Sequence, residues 1–134
     1  MATIEDAIFT RGSTFAGLTA LLGTNPTRLY PTQAPQNAVA PYVTYQMISD
    51  PREHAMGVDP GVAHPRFQFS PWAKTRTEAK AVTVQLIACY SRWRGIVASV
   101  DVLDSFLDNE GDVGLDDVVL LYQRFVDFLI SHRE

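Results

Sequence analysis

The sequence predicts an α+β fold: a mainly antiparallel four- to five-stranded sheet with two helices packed on one face. Three observations lead to this prediction. The length of 134 residues suffices for one hydrophobic core but not for two independent ones, so residues 1–134 form a single domain. Two segments have the capping residues and periodicity of helices, and the remaining regular segments alternate as strands do. The predicted order is α, β, β, β, α, β, β.

The first helix is predicted near the N-terminus, where Thr3 and Asp6 resemble a capping box. Apolar residues recur at roughly helical spacing up to Gly23: Ile4, Ala7, Ile8, Phe15, Leu18 and Leu22. Gly12 lies within this segment, and glycine costs about 1 kcal/mol relative to alanine inside a helix. We therefore expect a kink or a division into two helices.

Three strands are predicted between the helices. The first, "TRLYP" at residues 27–31, is short. The second, within "APYVTYQMISD" at residues 40–50, is partly apolar on both faces, so we expect it to be covered on both sides or to lie against a neighbouring molecule. The third is "RFQFSPWA" at residues 66–73, where Pro71 indicates an end, a bulge or an edge position.

A long exposed loop is predicted at residues 50–65, "DPREHAMGVDPGVAHP", because this segment contains three prolines and two glycines. Long loops in compact domains are often functional, although a tolerated insertion is the alternative. The stretch "REHAMG" combines charged and apolar side chains. The candidate interaction residues of this loop are Arg52, Glu53, His54, Met56 and Asp59.

The second helix has the clearest pattern in the chain. Thr75 and Glu78 form a capping box, an apolar stripe continues to Trp93, and Gly95 closes the helix. After it, residues 95–109 alternate in part and residues 110–117 are predicted to turn the chain. Residues 118–131 are rich in β-branched and aromatic residues, which predicts a long last strand.

The sequence has no catalytic or metal-binding signature. It lacks the G-x-S-x-G, G-x-x-x-x-G-K and H-E-x-x-H motifs. The three histidines have no metal-ligand spacing: His54, His64 and His132. Asp108, Glu110 and Asp112 alternate as in a calcium loop, but Val119 occupies the position that requires a glutamate. We therefore interpret the acidic run as a solvated hairpin turn, and we expect no enzyme activity, no metal and no cofactor.

Composition restricts the environment and the partners of the protein. The formal net charge is −4, which does not favour tight binding of nucleic acid. No apolar run has the roughly 20 residues that span a bilayer, and the N-terminus lacks a signal-peptide pattern. The only cysteine, Cys89, lies on the apolar stripe of the second helix. We expect a buried, unreactive thiol in a reducing, cytoplasm-like compartment.

Five stretches, read in order, carry a resemblance to a known family: "LTALLG", "RLYP", "PYVTYQ", "RFQFSPWAKTRTEAKAVTVQL" and "LYQRFVDFLI". Together they cover nearly the whole chain, and they resemble the tail-completion or tail-terminator proteins of long-tailed bacteriophages and prophages. The resemblance implies a ring, usually a hexamer, on the head-proximal end of the tail tube. Such a ring stops tube polymerisation and presents a surface for head-tail joining.

The resemblance also implies the partners: further copies of the chain, the tail tube protein and the head connector protein. DNA would pass through the ring without specific binding. The protein would be a virion component, present in the host cytoplasm during assembly. The strand near residues 42–50 would belong to the ring-building sheet, and the loop at 51–65 would reach a neighbouring subunit or the tail tube.

Two alternatives remain open from the sequence. One is a neck or connector-side adaptor of the same virion, which the sequence does not distinguish from a tail terminator. The other is a small α+β domain that binds or transforms a small molecule in a pocket between helices and sheet. A buried polar cluster would favour this second alternative, whereas the predicted inner faces are apolar.

Overall fold

The described part of the chain consists of three helices packed against one face of a seven-stranded sheet. The computed structural model describes residues 3–23, 27–36, 38–49, 61–115 and 120–133. The helices are α1 (Ile4–Ser13), α2 (Ala16–Leu22) and α3 (Arg76–Tyr90). The strands are β1 (Leu29–Pro31), β2 (Tyr42–Ser49), β3 (Val62–Ala63), β4 (Arg66–Ala73), β5 (Gly95–Val97), β6 (Val100–Leu115) and β7 (Tyr122–Arg133).

The sheet is mixed, with the strand order β1-β2-β4-β7-β6-β5. β1 and β2 are parallel, and every other pairing among the described strands is antiparallel. β7 is central because it pairs with β4 and β3 on one side and with β6 on the other. The α+β class is confirmed, but the predicted numbers of four to five strands and two helices are wrong.

The first predicted helix is in fact two helices, α1 and α2. α1 begins at the N-cap Thr3, whose backbone N–H donates to the Asp6 carboxylate at 2.8 Å, so the predicted capping box is confirmed. At the other end, the hydroxyl groups of Ser13 and Thr14 donate to the carbonyl of Thr10 at 3.2 and 2.8 Å. These local hydrogen bonds compete with continuation of the helix, and α2 starts only after the break.

α3 begins as predicted but ends earlier. The Thr75 side chain accepts a hydrogen bond from the Glu78 backbone N–H at 3.2 Å, which confirms the N-cap. The helix ends at Tyr90, and Gly95 starts β5 instead of closing the helix. Trp93 therefore lies beyond α3, although it is still buried in the core.

One apolar core lies between the helices and the sheet. The strands contribute alternate, buried side chains to it: Val43, Tyr45, Phe67, Phe69, Val126, Phe128 and Ile130. Tyr90 of α3 packs on Phe69 with 4.7 Å between ring centroids, and its hydroxyl donates to the Ile8 carbonyl at 2.7 Å. Full burial raises the pKa of Tyr90 well above its usual value. Tyr90 thus joins α1, α3 and the sheet.

β6 extends through part of the segment predicted to turn the chain. It continues to Leu115, so Asp108, Glu110 and Asp112 lie in a strand and not in a solvated turn. The strand has three register shifts relative to β7, at residues 103, 108 and 113. Local composition favoured a turn because it is acidic and contains glycine. Pairing with β7 and with distant arginine side chains overrides that preference.

Of the predicted loop at 50–65, the structure describes only residues 61–65. Residues 50–60 lie outside the described residues, but Val62 and Ala63 form β3 and pair with Arg133 and His132. The end of β7 provides the backbone partner that makes this short strand possible. No signal in the segment itself, with its prolines and glycines, indicates a strand.

Candidate assembly surface

The sheet has two edges at which strands lack a neighbour on their outer side, within the part of the chain that the structure describes. At one edge, β1 pairs with residues 43–45 of β2 and leaves residues 46–49 uncovered. At the other, β5 pairs with residues 100–102 of β6 and leaves residues 103–115 uncovered. We call these the β2 edge (residues 46–49) and the β6 edge (residues 103–115). Open edges are surfaces at which proteins contact other chains.

Exposed apolar side chains are concentrated at these two edges. Ten large apolar side chains are exposed among the described residues. Two of them form what we call the β2-edge patch: Met47 and Ile48. Six form the β6-edge patch, which extends along β5, β6 and the start of the segment before β7: Ile96, Phe106, Leu107, Val113, Leu115 and Leu120. The remaining two are Val39, which lines a groove beside Tyr42, and Val84, which lies on the outer side of α3.

The side chains of the β6-edge patch are substantially exposed, with exposed fractions from 38% for Leu107 to 76% for Ile96. Together they present on the order of 600 Å², distributed along the edge and over both of its faces. Apolar side chains exposed along an open strand edge are a feature of sites of protein–protein interaction.

The geometry of the β6 edge does not favour addition of a further strand. Residues 103, 108 and 113 are extra residues relative to β7, and such bulges bend a strand and interrupt its hydrogen-bonding ladder. The β2 edge has a register shift of the same kind at Ile48. Bulges and charged residues are the features by which natural sheets avoid pairing between edges. A partner at either edge is therefore expected to contact side chains more than backbone.

The acidic residues of β6 form ion pairs with arginines of the same chain. Asp108 contacts Arg66, which also lies 3.3 Å from the carboxylate of Asp127. The hydrogen bond to Asp108 is the main cause that raises the pKa of Arg66. Within the described residues, no group of three or more His, Cys, Asp or Glu side chains is placed to hold a metal ion.

A second ion-pair cluster attaches the C-terminal half of β6 (residues 108–115, called its outer half) to α3. The guanidinium group of Arg124 is almost fully buried and contacts Asp112, and it lies 3.7 Å from Glu110. Its Nε donates to the Thr83 hydroxyl of α3 at 3.1 Å. Arg76 at the start of α3 lies 3.5 Å from the same Asp112. A buried guanidinium group requires such partners because its charge is otherwise costly to desolvate.

Two arginines lie beside the part of the β6 edge that is nearest to β5. Arg92 and Arg94 lie 3.1 and 3.2 Å from Asp104, and the Arg92 guanidinium lies 4.6 Å from the Phe106 ring centroid. Desolvation opposes ionisation of Asp104, but the backbone N–H of Ser105 and the two arginines outweigh it and lower its pKa. Phe106 is thus an exposed aromatic side chain fixed by a cation–π contact.

A groove lies on the sheet face opposite the helices. Tyr42 and Trp72 stack at 6.1 Å between ring centroids, and Trp72 Nε1 donates to the Thr44 hydroxyl at 3.3 Å. The groove has a volume of about 730 Å³, and the loop between β1 and β2 forms its other wall. Lys74 is the only charged residue among its described lining residues. This is not the place between helices and sheet at which the small-molecule alternative requires a pocket.

The structure describes none of the five candidate loop residues, since Arg52, Glu53, His54, Met56 and Asp59 all lie within residues 50–60. His64 is described, and its Nδ1 lies 2.8 Å from the Ser131 hydroxyl. Cys89 is buried, as predicted. Burial raises the pKa of its thiol to about 12, although the nearby Arg11 acts in the opposite direction.

Sequence reasoning singled out β2 but did not predict that part of it lies at an edge of the sheet. The apolar character of both faces of β2 predicted a neighbouring molecule or cover on both sides, and the structure places Val43 inward and Ile48 outward. The β6-edge patch was missed. Its one local signal is the adjacent pair Phe106 and Leu107, which must point to opposite faces of a strand and cannot both enter one core.

Comparisons with known proteins identify a family. The family model described as "Tail completion protein gp17" matches residues 6–132. Among solved structures, the chain is similar to one chain of "Virion of native gene transfer agent (GTA) particle", with a TM-score of 0.70. The two share 16% sequence identity over 96% of this chain and 92% of that chain, which establishes a similar fold. No curated protein matches the sequence. None of the described helices is long and apolar enough to cross a membrane.

Proposed function

Because this chain belongs to the family of the tail completion protein gp17, whose model matches residues 6–132, we propose that it caps the head-proximal end of the tail tube. Membership makes it a structural protein of a phage tail and a component of the virion. As the cap, it ends polymerisation of the tube and provides the surface to which the head connector binds. Its work is then assembly and not catalysis.

The observation that supports this function is the position of the exposed apolar side chains at two opposite edges of one sheet. A protein that uses two different surfaces to bind copies of itself forms a ring if the rotation between copies closes. We propose such a ring with closed cyclic symmetry and about six copies, the number that the resemblance to tail-terminator proteins implies. The net charge of −4 suits a channel through which DNA passes without being bound.

Growth of tail tubes in vitro tests the proposed function. Purified tail tube protein is allowed to polymerise with and without this chain, and tube lengths are measured by negative-stain electron microscopy. We expect shorter tubes, and we expect tubes already capped at one end not to elongate there when more tube protein is added. Tubes that elongate equally with and without the chain would show that it is not a terminator.

The same experiment separates the neck-adaptor alternative. An adaptor on the connector side would bind the isolated connector and leave tube growth unchanged, whereas a terminator binds the tube end even when no connector is present. Two features would favour a small-molecule function. The first is the groove beside Tyr42, whose described lining contains one charged residue, Lys74, and no pair of groups suited to acid–base catalysis. The second is a cavity of about 240 Å³ between α3 and the sheet, where Arg76 and Arg124 are already paired with Asp112.

We also propose that the loop at residues 51–65 contacts the neighbouring subunit or the tail tube. The loop candidates Arg52, Glu53, His54, Met56 and Asp59 would provide this contact. Deletion of residues 52–59 is expected to leave a folded monomer that does not assemble, since β3 and the core lie outside the deleted segment. Circular dichroism checks the fold and native mass spectrometry checks assembly. An intact ring from the deletion variant would contradict this role.

A further inference from the structure

We propose that the ring is held together by contacts between unlike sheet edges, in which the β6-edge patch of one copy packs against the β2-edge patch of the next copy. This inference rests on the proposed function, which requires copies of the chain to form a ring. It adds which two surfaces meet and by what kind of contact.

Both edges carry exposed apolar side chains that a neighbouring copy would cover in the assembled protein. The side chains of the β6-edge patch together present on the order of 600 Å², and those of the β2-edge patch roughly 200 Å². Because Phe106 and Leu107 point to opposite faces of β6, a partner must enclose the edge to cover both. An interface of standard size buries about 800 Å² on each partner, with an apolar centre and a polar rim, and neither patch is covered within the described chain.

The distribution of charge argues that the partner of the β6 edge is not another β6 edge. β6 carries five carboxylates and no basic residue, while the arginines that pair with them surround it. Two such edges in contact would bring like charges together and desolvate the ion pairs of both copies, which is costly. β1 and β2 carry no charged residue, so the β2 edge brings no like charge to β6 and the ion pairs of only one copy are desolvated.

Because bulges interrupt the hydrogen-bonding ladder of a strand, we expect side chains, and not backbone hydrogen bonds, to form the contact. Both edges have register shifts at or next to patch residues, including Ile48 and Val113. Ile96, Phe106 and Leu107 are then available to pack on Met47 and Ile48. Since apolar contacts are not screened by salt, the contact is expected to persist at 1 M sodium chloride.

Two variants, each with one altered edge, test the inference in solution. The first is Ile96→Glu with Phe106→Glu, which alters the β6 edge. The second is Met47→Glu with Ile48→Glu, which alters the β2 edge. The matched control is Val84→Glu, because Val84 is 54% exposed on α3 and belongs to neither patch. Isotope labelling of one variant separates the masses in native mass spectrometry.

Each variant alone is expected to lose the ring, and the control is expected to keep it. An equimolar mixture of the two variants is expected to form a one-to-one dimer, because the intact β2 edge of the first variant binds the intact β6 edge of the second. The dimer cannot grow, since both of its remaining edges are altered. Thermal unfolding checks the fold of each variant, and the single substitutions Ile96→Glu and Met47→Glu replace any double variant that does not fold.

Three results would overturn the inference. Rings from either edge variant would show that the edge is not used, and a dimer of one variant alone would show a contact between like edges. A mixture that remains monomeric at concentrations where the wild type is assembled would exclude the contact between unlike edges. Failure of the proposed function differs from these results, because wild-type rings that do not stop tube growth would leave the edge contact intact.

Discussion

At the scale of single residues, Gly12 illustrates how a tertiary contact overrides helix propensity. A Cβ atom at this position would lie 2.5 Å from the Tyr90 hydroxyl oxygen and 2.6 Å from Leu29 Cδ2. Glycine costs about 1 kcal/mol relative to alanine in a helix. Here its absence of a side chain permits the hydrogen bond from Tyr90 to the Ile8 carbonyl. The close approach therefore explains a residue that propensity alone disfavours.

The first prediction is that Gly12→Ala destabilises the protein although it improves helix propensity. Overpacking costs about 1–3 kcal/mol and loss of the hydrogen bond about 1 kcal/mol, so we expect a net loss of about 1–3 kcal/mol. Urea denaturation measures the change in the free energy of unfolding. In a Tyr90→Phe background the same substitution should cost less, because the hydroxyl that obstructs the new methyl group is absent. A more stable Gly12→Ala single variant would contradict this account.

The second prediction concerns alkaline pH. Burial is the main cause that raises the pKa of Tyr45 to about 12 and that of Cys89 to about 12, and it raises the pKa of Tyr90 well above 10. The unfolded chain releases these protons from about pH 9, the folded chain only near pH 12 or above. Because the folded state binds more protons in this interval, its stability must fall as the pH rises above about 9.

Urea denaturation between pH 7 and pH 11 measures this dependence. Cys89→Ala provides the control, since the decrease should then begin near the usual pKa of tyrosine, 10.0, instead of that of cysteine, 9.0. A free energy of unfolding that stays constant up to pH 11 would show that these groups are not buried as described.

At the scale of secondary-structure elements, Arg124 attaches β6 to α3 through carboxylates on one side and Thr83 on the other. The third prediction compares the two ways of breaking this cluster. Glu110→Gln with Asp112→Asn leaves a buried guanidinium group without a carboxylate, which costs about 3–5 kcal/mol. Arg124→Met leaves the two carboxylates partly exposed to water, so we expect only the lost charged hydrogen bonds, about 1.5–3 kcal/mol.

The testable result is which of the two changes lowers the free energy of unfolding more: we expect it to be the double acidic variant. Chemical denaturation gives both free energies, and hydrogen exchange should locate the faster exchange in the outer half of β6. Arg76→Gln serves as the control, because Arg76 is largely exposed and its removal should change stability little. A greater loss from Arg124→Met than from the double acidic variant would contradict the interpretation of Arg124 as a buried charge that depends on its partners.

Helices and strands were predictable from the sequence where residues close together in the chain determine them. The N-caps Thr3 and Thr75 and the inward side chains of β4 follow from spacing alone. β3 and β5 have two and three residues, too few to show any period, and they form only because β7 and β6 provide partners. The acidic half of β6 was predicted as a turn because the arginines that neutralise it are distant in sequence.

At the scale of the whole molecule, the candidate surface depends on strand order, which local patterns do not contain. The sequence showed that β2 has apolar residues on both faces, and this led to the expectation of cover on both sides or of a neighbouring molecule. It did not show that β6 lies at the opposite side of the same sheet or that Phe106 is exposed there. The relation between the two edges is visible only after folding, and it is this relation that makes a ring geometrically possible.

The central claim, that this tail completion protein acts as a closed ring, is tested most directly by native mass spectrometry over a range of concentrations. The chain is measured alone and after release from tail tubes, and negative-stain images record the shape of the large species. We predict one closed species of about six copies with a central hole. A monomer under both conditions, or an open series of oligomers without a preferred number, would contradict the account.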